Sequence, residues 1–251
     1  MNNKNYQTYQ GVKMVKSERK EMLSTWDQFK EALAAFAQDL TIVGHAEEAT
    51  ISPFDEPKDY GQYSLVQIPE NLEEDEFKRK MADIDTILIT CMDKRVARPA
   101  WVAEGGGNKK IMILAIGGGV VQNQQRHNSM EIIASYLGKF NNVSQVVAAD
   151  HDCICGAVKF FLNSLGLLHD QGLPGLLKVD PGDKAEKKLM ESLIAYGAQP
   201  WIKAFGADKV IAKNAEVDET NHDVNMVVVD LSQAEPLNIE QLAEQLKQRQ
   251  D

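Results

Sequence analysis

Three short apolar runs constrain this chain more than any other feature: DTILIT at 85–90, KIMILAI at 110–116 and VSQVVAA at 143–149. They are rich in Ile, Val and Leu and apolar at consecutive rather than alternate positions. That pattern marks strands buried on both faces, the situation of a parallel sheet covered by helices. The intervening segments carry helical spacing instead. DEFKRKMADI precedes the first run, and HNSMEIIASYLGKF places Met130, Ile133, Ala134 and Leu137 on one face before the third. Strand alternating with helix predicts an α/β fold, a central, mostly parallel β-sheet flanked by helices.

The flanks are read the same way. From Ser17, taken as N-cap, SERKEMLSTWDQFKEALAAFAQDL predicts an amphipathic helix with Met22, Trp26, Phe29, Leu33 and Phe36 on its apolar side. Residues 1–16 are polar and predict a loosely held arm. Pro53, Pro57 and Pro69 mark 44–72 as mostly connecting loop. Pro99 suits the first turn of a short helix, RPAWVAE, and the GGG triplets at 105–107 and 117–119 suit turns. A helix is expected from about Cys155 through AVKFFLNSLGLL, and a loop over 170–183. AEKKLMESLIAYGAQPWIKAFG then reads as a helix interrupted near Pro200, VNMVVVDLS as a further strand, and NIEQLAEQLKQRQ as a closing helix capped by Asn238. The expected organisation is an N-terminal arm and helix over 1–40 and one α/β domain over 41–251.

Composition narrows the function. A formal net charge of -10 argues against a nucleic-acid binder or a protein held to anionic membranes, both of which depend on clustered Lys and Arg. No stretch has the apolar length to span a bilayer, and MNNKNYQTYQ lacks the apolar centre of a signal peptide, so the expected location is the cytoplasm. An odd count of 3 cysteines fits reduced thiols or a metal site better than a disulfide framework.

All of those cysteines fall just past apolar runs, in CMDKR at 91–95 and DHDCICGA at 150–157. In open α/β sheets, reactive groups gather beyond the carboxyl ends of strands. Zinc takes Cys and His donors, and a catalytic zinc keeps one position for water or substrate. Cys91, His151 and one later sulfur make such a set. Cys155 is favoured over Cys153 as third ligand, because it opens a helix whose N–H groups and dipole stabilise a thiolate. Cys153 lies only two residues from His151. Buried thiols acting as small apolar residues, or a Cys153–Cys155 redox pair, are the plainer readings. Neither uses Asp93 and Arg95. In an extended segment Cys91, Asp93 and Arg95 share one side, and an aspartate held by arginine stays ionised and can accept a hydrogen bond from a nucleophile at the metal.

Taken in order, these residues resemble the β-class carbonic anhydrases. The family's Cys-x-Asp-Ser-Arg corresponds to CMDKR, and a proline follows at Pro99. LAIGGGVV at 114–121 stands at the family's strand and Ala-Gly-Asn turn, SMEIIASYLG at its next helix, and VVAADHDCICGAV at its strand ending Gly-His-x-x-Cys-Gly-Ala. The resemblance is collinear over about 85–162. It implies a β-carbonic-anhydrase-like fold, Zn2+ on Cys91, His151 and Cys155, a catalytic Asp93–Arg95 dyad, and hydration of carbon dioxide to bicarbonate and a proton. It also implies a homodimer or a higher even-numbered homo-oligomer embraced by the N-terminal helix. His127 or an acidic side chain could carry the released proton.

The chain departs from that pattern in several places. His151-x-x-x-Cys155 is one residue longer than the family's spacing, and an ungapped alignment puts Asp152 at the histidine position. Asp150 replaces a glycine, Lys94 a serine, and a glycine the turn's asparagine. A fourth ligand from Asp93, Asp150 or Cys153 would point to a non-catalytic or metal-sensing zinc protein. A related zinc hydrolase acting on a small cumulated substrate such as carbon disulfide is the other enzyme reading.

Overall fold

The expected apolar runs form three adjacent strands of a five-stranded sheet, one of them at its edge. The computed structural model describes residues 6–9, 12–15, 25–42, 73–91, 93–106, 108–122, 124–151, 184–217 and 224–232. In chain order these hold β1 (Tyr6–Tyr9), β2 (Val12–Val15), α1 (Trp26–Ile42), α2 (Glu74–Met81), β3 (Thr86–Cys91), α3 (Lys94–Ala103), β4 (Ile111–Ile116), α4 (Gln124–Leu137), β5 (Gln145–His151), α5 (Lys184–Phe205), β6 (Val210–Val217) and β7 (Val224–Val228). The order across the sheet is β4-β3-β5-β6-β7. All neighbours run parallel except β7, which pairs antiparallel with β6 at one edge.

Helices cover both faces. Ile87, Ile89, Val146 and Ala148 point into the larger core, where they meet Phe29 and Phe36 of α1, Ile133 and Leu137 of α4, and Leu193 and Trp201 of α5. The opposite face carries Leu88, Ile113, Val147 and Ala149 beneath Ala97 and Ala100 of α3. Continuous apolar strands are needed because both faces are buried, and period-two alternation then sorts each residue to one core or the other. An aromatic cluster locks the helical layer: Phe29 stacks on Tyr136 at 4.5 Å, and Phe77 lies 5.3 Å from Phe29. The Tyr136 hydroxyl donates to the Glu74 carboxylate at 2.9 Å, tying α2 to α4.

Several expectations change. The segment read as a loose arm contains the antiparallel pair β1–β2, in register Tyr6↔Val15 to Tyr9↔Val12; Tyr, Thr and Val favour strands even among polar neighbours. The cap of α1 is Thr25; Ser17, read as the cap of a longer helix, lies outside the described residues. The Gln28 N–H donates to Thr25 Oγ1 at 3.3 Å and the Thr25 N–H to Gln28 Oε1 at 2.8 Å, a reciprocal capping box. Pro99 lies inside α3 rather than in its first turn, because that helix begins at Lys94. Nor does Pro200 interrupt α5, where burial of Ala198 and Trp201 outweighs one forfeited backbone bond. Strand β6 was not anticipated at all. Residues 17–24, the loops at 44–72 and 170–183, the helix from Cys155 and the closing helix lie wholly or largely outside the described residues.

The strand order places a switch point between β3 and β5. From β3 the chain leaves through α3 to β4 on one side, while β6 lies on the other side of β5. At such points the carboxyl ends of adjacent strands part and leave a crevice. Pairing of β3 with β5 runs from Thr86↔Gln145 to Ile89↔Ala148. Beyond it the turn after β4 enters the gap, and the Val120 N–H donates to the Ala149 carbonyl at 3.3 Å. Gly119, at φ +49°, makes this possible: a Cβ there would collide with the Ala149 carbonyl oxygen and sit 3.0 Å from the Cys91 nitrogen. Gly119→Ala is expected to destabilise the fold by about 1–3 kcal/mol, through strain and steric displacement, in urea denaturation at neutral pH.

Candidate metal centre

The two parted strands end in metal-binding side chains. Continuing their register sets Cys91 opposite Asp150, with His151 the last residue of β5. One donor atom from each of Cys91, Asp150 and His151 lies within 4.8 Å of the others. All three residues are buried, at 3%, 0% and 1% exposure. By alternation Cys91 and Asp150 belong to the face of Ile89 and Ala148, while His151 belongs to the other. The three donors therefore meet around the open end of the sheet rather than within one core. The Asp150 carboxylate is turned by its neighbour, since Oδ1 accepts the His151 backbone N–H at 2.7 Å.

The donor chemistry fits a zinc-type dication. Thiolate, carboxylate and imidazole bind zinc at about 2.0–2.3 Å, which sets tetrahedral donors about 3.3–3.8 Å apart. Donors that all lie within 4.8 Å of one another are close to that spacing. A dication would also offset the two negative charges of a buried thiolate and a buried carboxylate. Two further polar atoms belong to neighbouring positions. Asn214, on β6, is the register partner of Asp150 and shares its face. Its Oδ1 and the Thr90 Oγ1 are buried without a hydrogen-bond partner among the described residues.

The remaining expected site residues are placed differently. Strand geometry stops at Cys91, so the shared-side argument does not extend to Asp93 and Arg95. Asp93 instead stands at the N-terminus of α3, where its carbonyl accepts the N–H groups of Val96 at 2.8 Å and Ala97 at 2.9 Å. Aspartate is a preferred residue at that position, and the helix it starts overrides the extended reading. Arg95 belongs to the first turn of α3. Cys153, Cys155 and Asp152 lie outside the described residues. Asn214 was missed because β6 was missed: in VIAKNAEV the buried positions after Val210 are filled by alanine and asparagine, which give little apolar signal.

His127, considered as a proton carrier, lies buried on α4 with its ring stacked 4.4 Å from that of Tyr196 on α5. Burial pushes its pKa below the ordinary histidine value; Glu131 opposes the shift and Lys203 adds to it.

No protein-family model matches the chain, and no curated protein matches it. Among solved structures, it is similar to a carbonic anhydrase from Streptococcus mutans at 17% identity and a TM-score of 0.29, covering 81% of this chain and 99% of that one. It is also similar to the β-carbonic anhydrase CafA of the fungal pathogen Aspergillus fumigatus at 17% identity and a TM-score of 0.30, covering 66% and 81%. Likenesses this loose carry no argument for activity. Among the described residues, no helix is long and apolar enough to cross a membrane.

The His127 environment has a consequence for stability. Above about pH 6.5 the ring is neutral in both folded and unfolded chains, and its contribution is complete. As pH falls through that value the unfolded chain takes up the proton first, so stability declines towards the lower folded pKa. The wild-type urea midpoint is expected to fall between about pH 7.5 and 5.5, and to fall less in His127→Phe.

Proposed function

We propose that this chain is a zinc-dependent enzyme of the β-carbonic-anhydrase type, which hydrates carbon dioxide reversibly to bicarbonate and a proton. The observation that supports it best is the convergence of Cys91 and His151 at the switch point, within the segment that resembles that family in residue order. In this reading Cys91 and His151 hold the ion, with Cys155 as the third donor the resemblance implies. Bound zinc would supply Lewis acidity that brings the pKa of water from about 15.7 to about 7.

The chain's own residues do the rest. Asp93, at the head of α3 two residues beyond Cys91, accepts a hydrogen bond from the attacking water and so fixes its lone pair. Arg95, in the first turn of that helix, is the cation assigned to keep that carboxylate ionised and aimed. Ile116 and Val120, buried at the same edge of the sheet, offer the apolar surface that carbon dioxide requires. The reading carries with it a cytoplasmic, even-numbered homo-oligomer.

A second reading has one observation in its favour. If Asp150 and Cys155 both join Cys91 and His151, four protein donors close the site, as in zinc centres that hold structure or sense metal. Metal analysis with stopped-flow hydration separates the two. The enzyme reading expects zinc bound stoichiometrically and proton release on adding carbon dioxide; zinc without hydration above background would support the closed site. Asp93→Asn is expected to keep its zinc and lose about 10²–10⁴-fold in kcat/KM, as for removal of a proton-accepting group. Undiminished turnover in that variant would remove Asp93 from the mechanism.

A further inference from the structure

We infer that Asp150 is itself a metal ligand, taking the third protein position that the resemblance gives to Cys155. The inference rests on the metal site proposed above and changes its composition: one thiolate, one carboxylate and one imidazole, from Cys91, Asp150 and His151.

Three observations carry it. First, a carboxylate oxygen of Asp150 lies within 4.8 Å of both the Cys91 sulfur and a His151 ring nitrogen, in a cluster that is buried throughout. Second, the carboxylate is already oriented, since Oδ1 is held by the His151 N–H at 2.7 Å and fixes the direction of the other oxygen. That bond lets Asp150 bind through one oxygen while the second stays anchored to the strand, the supporting arrangement ligating carboxylates need. Third, Asp150 faces Asn214 across the β5–β6 ladder, and the buried Asn214 Oδ1 has no hydrogen-bond partner among the described residues. That leaves an unsatisfied buried acceptor at the register position beside Asp150.

The donor set also selects the ion. A mixed sulfur, oxygen and nitrogen site suits zinc or cobalt, not calcium or magnesium, which take oxygen donors in larger shells. With three protein donors the site keeps an open position, the arrangement of catalytic rather than structural zinc.

The test is metal affinity and the Co2+ absorption spectrum, measured on the full-length chain for wild type, Asp150→Asn, Asp150→Gly and Cys155→Ser. Asp150→Asn keeps an oxygen for the His151 N–H and so preserves the local fold, which far-ultraviolet circular dichroism checks. Loss of an outer-sphere partner costs about 10–100-fold in affinity, so loss of an inner ligand is expected to exceed about 100-fold in both Asp150 variants. Cys155→Ser is expected to hold cobalt within about threefold of wild type, with its thiolate-to-metal band intact. Binding retained in Asp150→Asn overturns the assignment while leaving the proposed function standing; binding lost in both Asp150→Asn and Cys155→Ser overturns it in favour of the closed four-donor site. A wild-type chain that binds neither zinc nor cobalt overturns both.

Discussion

Everything at the sheet's open end follows from the parting of β3 and β5. Two parallel strands that stayed paired to their last residues would hold Cys91 and Asp150 in an ordinary ladder, with no room for anything between them. The turn after β4 prevents this by sending a backbone with no side chain into the gap, where Gly119 meets the Ala149 carbonyl. From the other side, Gly197 of α5 lets that helix settle against the Val120 carbonyl, so the wedge is gripped between sheet and helix. Two glycines on different elements thus set a spacing that polar side chains exploit.

The resulting cluster is electrostatically demanding. A fully buried carboxylate beside a thiol and an imidazole is a costly combination in a low-dielectric interior unless its charge is offset. The sequence places no glycine or alanine at position 150, which the strand alone would accommodate at no such cost. A metal ion would turn that cost into binding energy, and because the donors come from separate strands it would stabilise the fold as well as the site. The pairing of β5 with β6 keeps Asp150 and His151 in line up to the end of the strand, so the donors stand on rigid backbone.

The strands buried on both faces were legible in the sequence because their residues have no alternative. Ile87, Leu88 and Ile89 are apolar whichever way they point, and a chain must cover both sides of them. β6 gave no such signal, since Lys213 and Asn214 sit where a central strand is expected to be apolar. The capping box at Thr25 and Gln28 was written in the sequence, but Ser17 offered a competing start to the same helical period. Cys91 and His151 were legible as candidate ligands from chemistry and position, and the fold brings them together. The joint placement of Asp93 and Arg95 was not, because period-two reasoning assumed a strand where the carbonyl of Asp93 already starts a helix. Asp150 stood out only as a departure from a pattern; its burial against Cys91 required the fold.

One contact on the far side of the sheet limits how this protein can vary. Glu104, at the end of α3, forms an ion pair with Lys213 of β6, and the glutamate is almost wholly enclosed. Losing either partner strands the other's charge in the interior, a penalty of about 3–5 kcal/mol that exceeds the effect of most single substitutions. Replacing both by apolar residues of matching volume is close to neutral. Positions 104 and 213 are therefore joined by a valley that single steps cannot enter, and drift at this corner of the molecule must proceed by paired exchange.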